Sequence, residues 1–193
     1  MDHPFLNNDF HIRWSSLNPA NIETDINLAI NQARSAVEAI AIDRNSTALN
    51  YENTFNALEE ALEPLQRAWG LVTHLDSVCN TSELRSAYNK MIPVVSAFFA
   101  GIPLNKKLWE CLQKCASSSS ADNLSATKQR HIQETLADFK EQGANLPIKQ
   151  KQRASEIQEQ LAKHTQKYSE NCLDAMNAWE LIINEEATLA GLP

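Results

Sequence analysis

Glycine is scarce in this chain, with four in 193 residues. Tight β-hairpin turns lean on glycine for positive φ, so helices are favoured over a many-turned β fold. No glycine-rich loop is present to converge backbone amides on a phosphate, which removes the kinase and nucleotide-binding readings. No apolar run approaches the roughly 20 residues that span a bilayer. The opening Met1-Asp2-His3-Pro4-Phe5-Leu6-Asn7-Asn8 has neither the basic nor the apolar region of a secretory signal. Charge of one sign never gathers into a block. Seventeen basic and twenty-four acidic residues, net -7, are dispersed, and counterion release from nucleic acid or an anionic membrane needs clustered Lys and Arg. Neither partner is therefore expected. The four cysteines, Cys79, Cys111, Cys115 and Cys172, lack C-x-x-C spacing and read as free thiols, small buried hydrophobes of a cytoplasmic protein.

Catalytic and metal-binding patterns are missing too. A zinc peptidase helix commonly carries H-E-x-x-H, two histidines on one face with a glutamate to activate water, and no such run occurs. The nearest approach, His131-Ile132-Gln133-Glu134-Thr135, has threonine where an inverted H-x-x-E-H motif needs histidine, and reads as a solvated helical His/Glu pair. His3, His11, His74 and His164 have no second histidine or cysteine at ligand spacing. His164 reads as a core or boundary imidazole, and His74 and Asp76 point about 200° apart on a helix. Cys111 and Cys115 share a helix face, but two thiols do not make a metal site. Glu59, Glu60 and Glu63 form a solvated charge face without an E-x-x-H companion. Trp14, Trp69, Trp109 and Trp179 are scattered and read as packing anchors. No catalytic, cofactor-binding or metal residue is assigned in this chain.

What is abundant is helix-forming sequence. Asn18-Pro19 reads as a cap and first turn, and Ile22, Ile26, Ala29, Ile30, Ala33, Val37 and Ile40 then recur at helical spacing, predicting a helix over about 19–42. Asn53 is expected to cap a second helix carrying Phe55, Leu58, Leu62, Leu65, Trp69, Val72 and Leu75, kinked near Glu60 by Pro64. Asn80-Thr81-Ser82 marks a break, with Ser82 capping a third helix through Leu84, Ala87, Tyr88, Met91, Val95 and Phe98 that Pro93 kinks or ends. Gly101-Ile102-Pro103 leads into a shorter helix with Leu104, Leu108, Trp109, Leu112 and Cys115. Ser117-Ser118-Ser119-Ser120 is a polar loop. Ser125 caps a fifth helix, with Ile132, Leu136 and Phe139 on one side, that Gly143 closes. Pro147 starts the last, whose Ile157, Leu161, His164, Tyr168, Cys172 and Met176 form one long stripe. Trp179-Glu180-Leu181-Ile182-Ile183 predicts a brief extended segment whose strand partner is either a loop or outside the chain. The end at Leu189-Ala190-Gly191-Leu192-Pro193 reads as cut, and exposed apolar surface is expected around Trp179. The fold class is all-α, a bundle of about six long amphipathic helices with one short C-terminal extended segment allowed.

Several segments, in order, resemble the amino-terminal region of the thimet oligopeptidase and oligopeptidase A family of zinc metallopeptidases. Tyr51-Glu52-Asn53-Thr54 with Ala57-Leu58-Glu59 is similar to that family's aromatic-acidic-Asn-Thr segment opening a long helix. Arg67-Ala68-Trp69, His74-Leu75, Asn80-Thr81-Ser82-Glu83-Leu84-Arg85 and Ala87-Tyr88-Asn89 continue it. Gly143, Leu146-Pro147, Ile157, Leu161, Tyr168-Ser169-Glu170-Asn171, Leu173-Asp174-Ala175 and Leu189-Ala190-Gly191-Leu192-Pro193 complete the series. Tyr51 and Tyr168 stand where other aromatics are more usual. The family's H-E-x-x-H helix lies far beyond this end, so its catalytic roles fall on no residue here.

The resemblance implies that residues 1–193 are a single helical N-terminal domain, or part of one, of a larger oligopeptidase. It implies a non-catalytic wall of a substrate channel that admits short peptides, with zinc and the catalytic domain in the rest of the parent. The implied partners are that C-terminal catalytic domain and, for the parent, short peptides. The alternative is a stand-alone helical scaffold or protein-interaction module without peptidase activity.

Overall fold

The computed structural model describes residues 3–42, 48–79, 81–118, 121 and 123–191. Met1, Asp2, Asn80, Ser119, Ser120, Leu192 and Pro193, which figure in the sequence reading, lie outside them. Among the described residues there are six α-helices and no strand.

The first helix, α1 (Pro19–Ala41), is centred in the packing. Asn18 Oδ1 accepts from the Ala20 amide at 2.9 Å, relieving one of the orphan donors of the first turn. The stripe from Ile22 to Ile40 is buried along its whole length, against α2 (Ala57–Val78), α3 (Ser82–Leu104) and α4 (Lys106–Ala116). Each fully buried Ile or Leu of such a stripe contributes about 1.5–3 kcal/mol before chain entropy is counted.

Three helix starts differ from the pattern-based reading. Asn53 does not cap α2. Asn50 Oδ1 accepts from the Asn53 amide at 3.0 Å and Asn53 Oδ1 accepts from the Asn50 amide at 2.9 Å, a reciprocal box that begins the helical path earlier, through a five-residue π turn over Glu52–Asn56. The cap of α3 is Thr81 rather than Ser82, its hydroxyl accepting from Leu84 at 3.2 Å. Pro93 does not end α3, which runs on through Pro103 to Leu104; Asn105 then caps α4 by accepting from the Lys107 and Leu108 amides. Pro64 sits inside one continuous α2, with Glu60 and Pro64 both exposed, so the carbonyl it leaves unpaired meets solvent.

The fifth helix, α5 (Ala126–Glu141), starts at Ser125 and buries Ile132 and Phe139. Gly143 closes it at φ +101°, letting the Ala144 amide reach back to the Phe139 carbonyl at 2.8 Å. Pro147 then leads into α6 (Ile148–Asn177).

The last helix departs most from expectation. Its thirty residues include no buried one, and none of them joins the core cluster. The stripe of Ile157, Leu161, His164, Tyr168, Cys172 and Met176 faces solvent. The helix instead rests on α3 through a more polar stripe in which Ala162, Gln166, Glu170 and Leu173 are the half-covered positions. Gln166 and Tyr168 are two residues apart and so about 200° apart around the axis, which is why docking one stripe exposes the other. Beyond it, residues 179–185 form neither helix nor strand, and a single 3₁₀ turn follows at Glu186–Leu189.

Candidate functional site

The seam between α3 and α6 holds two adjoining grooves. One of about 470 Å³ has Trp69, Tyr88, Val95 and Phe99 as its apolar side and Leu161 and Gln166 of α6 opposite. Trp69 of α2 and Tyr88 of α3 stack at 5.1 Å between centroids. A smaller cavity of about 240 Å³ adjoins it, lined by Thr73, Asp76, Arg85, Tyr88, Glu170 and Leu173.

Polar links cross this seam. Arg85 Nη1 lies 2.8 Å from Asp174 Oδ1, and that hydrogen bond raises the guanidinium's affinity for its proton further. Asn89 Nδ2 donates to Glu170 Oε1 at 2.5 Å, and Gln166 Nε2 donates to Asn89 Oδ1 at 3.2 Å. Burial pushes the Tyr88 phenol up, its hydrogen bond with Thr73 only partly opposing this. Aromatic faces beside amides suit an apolar side chain and a peptide backbone. They supply no nucleophile with an adjacent base.

The residues considered from sequence are taken up elsewhere in the packing. His131 Nδ1 lies 3.0 Å from the Tyr51 hydroxyl and its Nε2 3.3 Å from Glu59 Oε1, while Glu134 pairs with Arg130. Cys111 and Cys115 are buried separately. The first donates to the Ile40 carbonyl at 3.4 Å, the second accepts from Thr54 Oγ1 at 3.0 Å, and burial pushes the Cys115 thiol up. Cys79 and Cys172 are exposed, which corrects the reading of all four as buried. His164 is exposed rather than core, His74 packs against Trp14 at 5.4 Å, and Glu60 accepts from Asn56. Trp69 and Trp109 anchor packing, whereas Trp179 is 70% exposed. Among the described residues no group of three or more His, Cys, Asp or Glu is disposed to hold a metal ion, so the residues present do not fit a zinc site. Among the same residues no helix is long and apolar enough to cross a membrane.

The family-like segments prove to be joints. Tyr51 and Glu52 meet α5, Lys128 lying 4.7 Å over the Tyr51 ring and pairing with Glu52. Thr54 is buried between the Asn50 carbonyl and Cys115. Arg67 donates to the Asp9 carbonyl at 2.8 Å. The segment ending in Asn89 and the one containing Glu170 and Asp174, far apart in sequence, face each other across the seam.

Comparison with known proteins agrees. Residues 26–152 match the family model described as Neurolysin/Thimet oligopeptidase, N-terminal domain. The chain belongs to this family. It is 32% identical to oligopeptidase A of Haemophilus influenzae over 193 residues, all of this chain and 28% of that protein. It is 29% identical to oligopeptidase A of Salmonella typhimurium over the same length, again 28% of the relative. Oligopeptidase A of Escherichia coli matches at 29% over 180 residues, 93% of the chain and 26% of the relative. The chain thus spans little more than a quarter of the relatives it matches. The domain match stops at residue 152, in the first turns of α6, whereas the match to the first two relatives runs through the whole chain.

The orientation of α6 was the feature sequence reasoning missed. Its signal was present as a second stripe in which the small or polar Ala154, Ala162, Gln166 and Glu170 lead to Leu173.

Proposed function

We propose that this chain is the non-catalytic N-terminal domain of a zinc-dependent oligopeptidase, forming one wall of a channel that restricts hydrolysis to short peptides. The observation that carries the reading is the match over the full chain to oligopeptidase A proteins more than three times its length. Residues 1–193 form one helical unit or part of one, and the zinc, its ligands and the catalytic domain lie in the rest of the parent. The chain has no H-E-x-x-H run, and its candidate ligands are committed to structural bonds. Its role is steric: a stiff, mildly acidic helical wall excludes folded substrates, and the aromatic and amide groove between α3 and α6 suits an extended peptide. A cytosolic location is part of the proposal, consistent with thiols that carry no disulfide.

Quenched fluorescent peptides test this. The 193-residue chain alone is expected to give no turnover, and the full-length parent is expected to cleave short peptides, to lose that activity with a chelator and to spare folded proteins. Chelator-sensitive turnover by the chain alone, or a parent without peptidase activity, overturns the reading.

A further inference from the structure

An amphipathic helix owes most of its stability to packing its apolar face, because propensity alone leaves even long isolated helices marginal in water. By that measure α6 is incomplete. It touches α3 with its polar stripe, places no residue in the core, and leaves Ile157, Leu161, Tyr168 and Met176 exposed. The same apolar surface continues past the helix through Trp179, Leu181 and Ile182, where backbone that pairs with no strand among the described residues adds unspent hydrogen-bonding groups.

Two independent observations indicate what covers it. The family's N-terminal domain match ends at residue 152, so nearly all of α6 lies past that unit, yet residues up to the end of the chain still align with relatives of which this chain is 28%. The N-terminal core also closes without α6: Phe139 and Ala144 are its last buried members. An element that the first unit does not need for its core, that the longer relatives share, and whose apolar side, Leu161 apart, is exposed away from that unit has the properties of an interdomain element.

The geometry points to α6 and residues 179–183 as the docking surface for the part of the parent polypeptide that follows Pro193, with α6 held to the N-terminal unit by a seam whose polar links run through Arg85, Asn89 and Lys151. This rests on the reading of the chain as the front of a longer peptidase. The occupant is apolar and covalently continuous with the chain, so it pays little association entropy.

Cys172 lies within the stripe and is exposed, which supplies a built-in reporter. Native protein is labelled with N-ethylmaleimide at several concentrations, and modification of Cys172 and Cys79 is followed separately by peptide mass in the 193-residue chain and in the full-length parent. Cys172 is expected to react freely in the chain and roughly tenfold or more slowly in the parent, where reaction requires local opening. Equal rates overturn the inference. Slowing in the chain alone that grows with concentration assigns the surface to a second copy and equally overturns it. Peptide cleavage by the same parent samples is read in parallel: cleavage with an open Cys172 sinks the docking surface and leaves the peptidase reading standing, whereas a covered Cys172 without cleavage does the reverse. The variant Met176→Glu, at a position 75% exposed and outside the α3/α6 groove, is expected to leave the helicity and melting of the 193-residue chain unchanged and to return Cys172 of the parent to the fast rate; retained protection overturns the assignment of the stripe.

Discussion

His3 Nδ1 lies 2.8 Å from Oδ1 of Asp25, which is 1% exposed, and the other oxygen of that carboxylate accepts from the Phe5 amide at 3.0 Å. One buried acid on α1 therefore ties down the N-terminal segment and seats Phe5 in the core. Asp25→Ala removes both acceptors and leaves a buried amide unpaired, at a cost of about 2–4 kcal/mol on the scale of charge-assisted bonds and desolvation. Urea unfolding checks the magnitude, and limited proteolysis is expected to cut before Asn18 much faster in the variant. A wild-type-like midpoint with unchanged proteolysis would mean the segment is held by Phe5 alone.

Two leucines at opposite extremes of burial separate core from surface. Leu65→Ala, at a fully buried site on α2, is expected to cost about 2–5 kcal/mol through lost transfer energy and a cavity. Leu161→Ala on α6 is expected to stay within roughly 0.5 kcal/mol in the isolated chain. Comparable losses at both positions in denaturant titrations would show that α6 buries its apolar stripe after all.

Gly143 closes α5 at φ +101°, and a Cβ there would meet Leu146 Cδ1 at 2.8 Å. Gly143→Ala combines the left-handed backbone penalty of about 1–2 kcal/mol with displacement of Leu146. Thermal melting reads the loss, and Gly143→Asn, a residue that tolerates this region better, is expected to lose less backbone energy than alanine. Equal stability of Gly143→Ala and the native protein would remove the argument.

Stability should fall at alkaline pH. Burial holds the Tyr88 phenol above its ordinary value of 10.0 in the folded state, so the unfolded chain releases the proton first. The contribution is fully present below pH 10 and is lost as pH rises through the raised folded value. The Cys115 thiol, also pushed up by burial from 9.0, acts in the same direction and begins earlier. Tyr88→Phe is expected to flatten the alkaline limb of a plot of unfolding free energy against pH, while losing the Thr73 hydrogen bond at neutral pH. An identical limb in the variant would locate the effect in other groups.

The helices themselves were legible in sequence because local rules decide them. Asn18-Pro19, Ser125 and Gly143 do what their residue types dictate within one turn, and the buried stripe of α1 follows from spacing alone. The start of the helical path into α2 lies before Asn53, since Asn50 and Asn53 are both residue types that suit a cap and only their reciprocal bonding selects the earlier start. Of the two outcomes expected at Pro93, a kink or an end, the end does not occur: packing of Met91, Ile92 and Val95 carries α3 past the one hydrogen bond it removes.

The joints of the candidate site were visible as residues but not as pairs. Nothing in the sequence says that Arg85 meets Asp174, or that His131 is shared by Tyr51 and Glu59, because such contacts join positions dozens of residues apart and depend on how helices cross.

By itself, the sequence determined an all-α protein with its first five helices packed on their apolar stripes, no zinc motif, and membership of a peptidase family carried by ordered short segments. Only the tertiary structure decided which face of α6 docks. Hydrophobic periodicity records that a helix has an apolar side, yet that side seeks the most complete cover available. In this chain α6 meets α3 through Gln166, Glu170 and Asp174, and Ile157, Tyr168 and Met176 remain exposed.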